Sequence, residues 1–236
     1  MLSALLLVLK GAKFGKLLLT GGSMLISVFA YALLFGWSYA AGFVGLIFVH
    51  EMGHYLAARA RGLDVGAPTF IPFVGAWIQL KDQPRDAETE AYIGMAGPLV
   101  GTFGALACYW LARETGSSLL LALAYSGFFL NLFNLIPVSP FDGGRITAVI
   151  SPRLWLLGAP LLIGLFFWRP SPLLILMVLL AWPRLVEAWR GIRTPEAAQY
   201  YATDVETRTT YGLLYLGLAA FLAIMCHELH LELPAR

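Results

Sequence analysis

GWSYAAGFVGLIFVHEMGHYLAARA occupies residues 36–60, and three of its side chains are out of place in it. Apart from His50, Glu51 and His54, the run carries no charged or imidazole group before Arg59. A helix at the surface of a water-soluble protein shows a broad polar face, and this one has none. Polar groups inside such a helix are costly to bury, and in membranes they mark function. His50 and His54 are four residues apart, so one helical turn brings both imidazoles to the same face, within reach of a single metal ion. Glu51 stands beside them, where a carboxylate can serve as general base toward a metal-activated water.

The rest of the chain agrees with an apolar setting. Its 236 residues are 59% hydrophobic and 13% charged, with a mean hydropathy of +0.74. A soluble domain carries about 25% charged residues, so a water-facing globule of one or two domains is excluded. A formal charge of +2 gives no footing for nucleic acid, and no glycine-rich nucleotide loop is present. Neither nucleic acid nor nucleotide is therefore an expected partner; the lipid bilayer is. Cys108 and Cys226 lie in apolar runs and are not spaced as metal ligands, which suits cysteine as a small hydrophobe. At the N-terminus, residues 2–9 are apolar and precede Lys10, Lys13 and Lys16. That is the reverse of a secretory signal, and residues 1–16 read as an amphipathic lead-in on the membrane surface.

Charge-free stretches define the crossings. Residues 17–49 are too long for one perpendicular span, and a break near Gly36-Trp37-Ser38 divides them into one helix and a second that runs through the histidines to about Ala60. Residues 91–112, 117–139 and 209–227 are each long enough to cross a hydrocarbon core of roughly 30 Å. Residues 154–168 and 171–183 are short, and either two tilted spans or a re-entrant hairpin fits them. The expected fold is an all-α polytopic membrane protein of about six to seven transmembrane helices. Its expected parts are the lead-in 1–16, a catalytic membrane core 17–153, and C-terminal helices 154–236 with a cytosolic loop near 184–208. With the N-terminus inside, thirteen of the sixteen Lys and Arg fall on the cytosolic face, and only Arg113, Arg169 and Arg236 fall outside. That bias predicts a multi-pass protein of the cell membrane with the N-terminus cytosolic and the C-terminus outside.

Two histidines do not complete a catalytic metal site; a third protein ligand is needed, with one position left open. Asp142 follows Asn134-Leu135-Ile136-Pro137-Val138-Ser139-Pro140-Phe141, just past the inner end of the span 117–139. His54 lies one turn from the inner end of its own helix, so both fall at the same depth near the cytosolic side. Pro137 and Pro140 break the helix, and Gly143-Gly144 permit a tight turn. Glu88 and Glu90 are the rival third ligands upstream. Asn134 is a candidate to bind the substrate carbonyl or its oxyanion, with Asn131 one turn earlier as its support or as interhelical glue. Gly97, Gly101 and Gly104 read as a packing stripe. Residues 66–80 hold Pro68, Pro72, Gly66 and Gly75, which argue against a helix. Strands at 70–73 and 76–80 would make a short membrane-associated β-hairpin between the second and third helices, with an edge open to peptide. His227-Glu228-Leu229-His230 has the wrong spacing for a helical zinc pair and reads as an exposed tail.

Over residues 36–153 the chain resembles the site-2 protease family of intramembrane zinc metalloproteases. That family shows a His-Glu-x-x-His helix, then an Ala-Gly-Pro opening the next span, then Asn-x-x-Pro-x-x-Pro-x-Asp-Gly. Here these correspond to His50–His54, Ala96-Gly97-Pro98 and Asn134–Gly143. Many members have proline where Ser139 stands, leucine where Phe141 stands, and asparagine where Gly101 stands; no proposed ligand is touched. The resemblance implies one zinc ion per chain on His50, His54 and Asp142, Glu51 as base, and hydrolysis of peptide bonds in a transmembrane substrate. The alternatives are a zinc-binding membrane transporter or sensor, a membrane zincin using Glu90 as third ligand, and a catalytically inactive relative.

Overall fold

The computed structural model describes residues 2–77 and 82–233, with side chains from Leu18 onward and Trp77 excepted. It is mostly helical with one small antiparallel hairpin. Helix α1 (Leu2–Phe35) gives way to α2 (Trp37–Ala60) across the single residue Gly36, whose φ of 83° is open to glycine and strained for other residues. Residues 2–16 are continuous with the rest of α1; which face their side chains present lies outside the described residues.

The hairpin follows α2. Strands β1 (Thr69–Ile71) and β2 (Gly75–Trp77) pair with Phe70 opposite Ala76. The first strand is shorter than the expected 70–73 because the turn begins at Pro72, with Phe73 at φ 63° and Gly75 at φ 127°. Of the expected second strand, Ala76 and Trp77 are in place, and residues 78–80 lie outside the described residues. Helix α1 closes the outer side of β1: Ser23 Oγ accepts from the Phe70 amide at 3.1 Å, and Thr20 Oγ1 donates to the Pro68 carbonyl at 2.7 Å.

Helix α3 (Ala87–Thr115) is the central post, packed against α2, α4 (Ser118–Asn134) and α5 (Asp142–Ile150). The Asp86 carboxylate caps its start by accepting from the Thr89 amide at 2.7 Å, and Gly116 (φ 67°) ends it. A 3₁₀ turn (Pro152–Leu157), α6 (Gly158–Trp168), α7 (Pro172–Arg190) and a short α8 (Pro195–Tyr200) complete one flank. Helix α9 (Val205–Glu232) returns across α4 and α5. It runs five residues beyond the expected span, so His227–His230 is helix rather than tail. Leu229 is buried there, and Arg113 of α3 pairs with Glu232 to hold the end.

Among the described residues, four helices are long and apolar enough to cross a membrane: α1 from Leu18 to Phe35, α3, α7 and α9. Helix α4 and the segment Pro152–Trp168 are apolar but shorter. Helix α2 has the length, 24 residues or about 36 Å at 1.5 Å per residue, and carries the histidines. In lipid there is little water to exclude between helices, so association rests on close packing and interhelical hydrogen bonds. Small residues supply that closeness: Gly53 of α2 lies so near Ala96 of α3 that a Cβ on Gly53 would run into the Ala96 carbonyl.

Candidate metal centre

His50 and His54 lie one turn apart on the buried face of α2, with ring centroids 4.8 Å apart and planes nearly perpendicular. Asp142 is the first residue of α5. Helix α4 stops at Asn134, and the chain folds through Leu135–Phe141 before α5 begins. Both glycines after Asp142 are pressed onto that connection. A Cβ on Gly143 would strike the Leu135 carbonyl, and one on Gly144 would strike the Ser139 amide and the Val138 carbonyl carbon. Only glycine lets α5 start this close to the end of α4, and this closeness carries the Asp142 carboxylate to α2.

The result is a triangle of ligand atoms. His50 Nε2 and His54 Nε2 are 3.1 Å apart, and each is 3.2 Å from Asp142 Oδ2. All three residues are buried. The outward nitrogens explain the arrangement. His54 Nδ1 faces the Ile93 carbonyl at 2.7 Å, an acceptor only, so Nδ1 carries the proton. His50 Nδ1 faces Asn131 Oδ1 at 2.8 Å. The Asn131 amide is itself oriented, because Nδ2 donates to the Gly127 carbonyl at 2.7 Å. Both imidazoles therefore hold their proton on Nδ1 and turn a bare Nε2 inward, toward each other and toward a carboxylate oxygen. Three buried lone pairs at this separation repel one another unless a cation lies among them. A tetrahedral zinc with bonds of about 2.0–2.1 Å separates its ligand atoms by about 3.3 Å, so the residues fit that ion. Two imidazoles and a carboxylate are also a donor set that zinc accepts in open catalytic sites.

Glu51 is buried on the same turn and acts electrostatically on both histidines and on Asp142. No described residue donates a hydrogen bond to it, so its carboxylate is not consumed by structure. The rivals of Asp142 are engaged elsewhere. Glu88 lies 3.7 Å from Arg61, while Glu90 accepts from the Tyr200 hydroxyl at 2.6 Å and faces Arg145 at 3.5 Å. Asn134 donates back to the Leu130 carbonyl of its own helix at 3.0 Å and makes no hydrogen bond to the three ligands.

Two parts of the site exceed what the sequence alone signals. Asn131 is a direct partner of His50 rather than an accessory to Asn134. The glycine stripe of α3 is likewise more than packing: a Cβ on Gly97 would collide with the His54 ring, and one on Gly101 with the Asn131 amide. The available clue is spacing, since four residues separate Gly97 from Gly101 as four separate His50 from His54. Two further hydrogen bonds brace the Asp142 segment. Trp155 Nε1 donates to the Gly144 carbonyl at 2.8 Å, and the Tyr215 hydroxyl to the Leu135 carbonyl. No sequence motif points to either.

Comparison with known proteins covers the helix that carries both histidines. Residues 38–117 match the model of peptidase family M50. The chain is 32% identical over 113 residues to a zinc metalloprotease of Methanocaldococcus jannaschii, covering 46% of this chain and 32% of that protein. It is 33% identical over 108 residues to Rip3 of Mycobacterium tuberculosis, covering 42% and 27%. With the chloroplastic protein EGY1 of Arabidopsis thaliana it shares 27% over 153 residues, covering 45% and 28%. All three carry zinc metalloprotease in their names, and this chain spans about a third or less of the length of each. Over residues 38–117 the chain is thus similar to peptidase family M50, and the named relatives it resembles are zinc metalloproteases.

Proposed function

We propose that this protein is an intramembrane zinc metalloprotease that hydrolyses peptide bonds of membrane-embedded substrates. The observation that carries this reading is the inward pair of bare Nε2 atoms facing the Asp142 carboxylate, with both Nδ1 protons held by acceptors. His50, His54 and Asp142 would hold one zinc ion per chain. When bound, zinc supplies Lewis acidity at the open fourth position. Glu51 takes the proton of the attacking water and delivers it to the departing amide nitrogen. Asn131 keeps His50 in the ligating tautomer, a supporting role common around metal-bound histidines. Asn134, with an amide oxygen for which the described residues offer no hydrogen bond, is the candidate to meet the substrate backbone.

A helical substrate must be unwound before its scissile carbonyl can be reached, and the hairpin suits that step. Since α1 occupies the outer side of β1, the outer edge of β2 at Ala76 is where an extended peptide would add as a further strand. On this reading α2, α4 and the segment 152–168 join the four long apolar helices as crossings. The N-terminus is cytosolic, the C-terminus lies outside, and the metal centre sits near the cytosolic face of the cell membrane, as the charge distribution favours.

The test is Glu51→Gln in the purified full chain. Peptide hydrolysis falls by about 10²–10⁴-fold while zinc content stays at the wild-type level. Full hydrolysis by this variant would remove the protease mechanism and favour a zinc transporter or sensor, which needs the ligands but no base.

A further inference from the structure

Away from the metal centre, the end of α7 and the 3₁₀ turn line an open pocket of about 660 Å³. Three arginines line it: Arg153 from the turn, Arg190 from the last residue of α7, and Arg193 from the connection to α8. Among the described lining residues one carboxylate is present, Glu187, and it is already paired with Arg184 at 2.8 Å. The guanidinium groups of Arg153 and Arg190 meet no acidic partner among the described residues, and Arg193 donates through Nε only to the Arg190 carbonyl at 3.3 Å. Three cations thus line one pocket whose single carboxylate among the described lining residues, Glu187, is paired with Arg184. Such a cluster carries mutual repulsion that an anion relieves, and guanidinium forks match phosphate oxygens in particular.

The approach to the pocket names the kind of anion. Helix α7 is a candidate membrane span, and Leu179, Leu180 and Trp182 are exposed along it. At its end Trp189 is 80% exposed, directly before Arg190, and Ile192 is exposed just beyond. Tryptophan followed by arginine at the end of a span is the arrangement found at headgroup level. A molecule seated here would have its phosphate among the arginines and its apolar part along Trp189 and Trp182, which share one side of α7 at a spacing of seven residues. We propose that this pocket binds the phosphate of an anionic phospholipid headgroup, anchoring the α7–α8 connection at the membrane surface. The shared chemistry is a phosphate group, and the exposed apolar side of α7 assigns the lipid as its source. This inference is independent of peptide hydrolysis.

The experiment is native mass spectrometry of the full chain in detergent, titrated separately with phosphatidylglycerol, phosphatidylcholine and inorganic phosphate. Phosphatidylglycerol is retained preferentially. Replacing Arg153, Arg190 or Arg193 by Gln weakens its retention roughly 5-fold each, and Arg169→Gln, at the far end of α6, leaves it unchanged. A triple Arg→Lys variant, which preserves charge, keeps most of the retention and controls for misfolding in the triple Arg→Gln variant. Equal retention of both lipids, or undiminished phosphatidylglycerol on a folded triple Gln variant, overturns the proposal. If inorganic phosphate binds as tightly as the lipid, the lipid assignment falls.

Discussion

Glycines near the metal ligands and glycines on the lipid-facing helices live under opposite constraints. Around the centre, Gly53, Gly97, Gly101, Gly143 and Gly144 each have a neighbour where a Cβ would lie: a backbone carbonyl, a ligand ring or a supporting amide. On the periphery, Gly21, Gly22, Gly164 and Gly217 have nothing within 4 Å of that position. Exposure follows the same division. Phe128, Ile146 and Asn131 are sealed in the α3–α4–α5 core, whereas Phe167 and Trp168 at the end of α6 are 80% and 73% exposed. The interior is a fixed frame built by backbone proximity, and the outer helices are an exposed apolar coat in which side-chain identity is loosely constrained.

Substitutions should break that frame in order of proximity to the ligands. Gly97→Ala drives a methyl into the His54 ring, and zinc affinity should fall by more than the ~100-fold seen when an outer partner of a metal ligand is lost. Equilibrium dialysis against a zinc chelator measures it; wild-type affinity would show that α3 yields easily and that the frame is soft. Asn131→Ala releases the Nδ1 proton of His50 and should weaken zinc by about 10–100-fold without expelling it. Tyr200→Phe removes only the hydrogen bond to Glu90, at the edge of the frame. It should lower unfolding stability by about 0.5–1.5 kcal/mol and leave zinc content alone. The smallest effect belongs to the coat. Gly164→Ala should shift stability by no more than about 1 kcal/mol, in the stabilising direction where helix propensity acts. A large loss there would mean that α6 packs against something in the assembled protein.

The contrast also explains what could be seen from the amino acids alone. The histidine pair, the break at Gly36 and the apolar runs are local signals, one residue or one helical period long, and they are legible as written. Asp142 is legible because prolines and a Gly-Gly pair announce a turn just after an apolar run. The role of Gly97 is not, since it depends on how closely α3 approaches α2, a distance no single helix encodes. For Asn131 the sequence leaves support of Asn134 and an interhelical bond both open, because the partner that decides, His50, lies 81 residues away on another helix. The extension of α9 through His227–His230 depends on burial of Leu229 and on the ion pair to Arg113, again a tertiary matter. Residues 154–183 resisted because α6, at 11 residues, is helical and apolar yet about 16 Å long.

The central claim is that three side chains from two distant parts of the chain hold one metal ion. Zinc analysis of the purified wild type, Glu51→Gln and Asp142→Ala tests it most directly. One equivalent of zinc is expected in the wild type and in Glu51→Gln, and a nearly complete loss in a folded Asp142→Ala. A folded Asp142→Ala protein that keeps its full equivalent would contradict it.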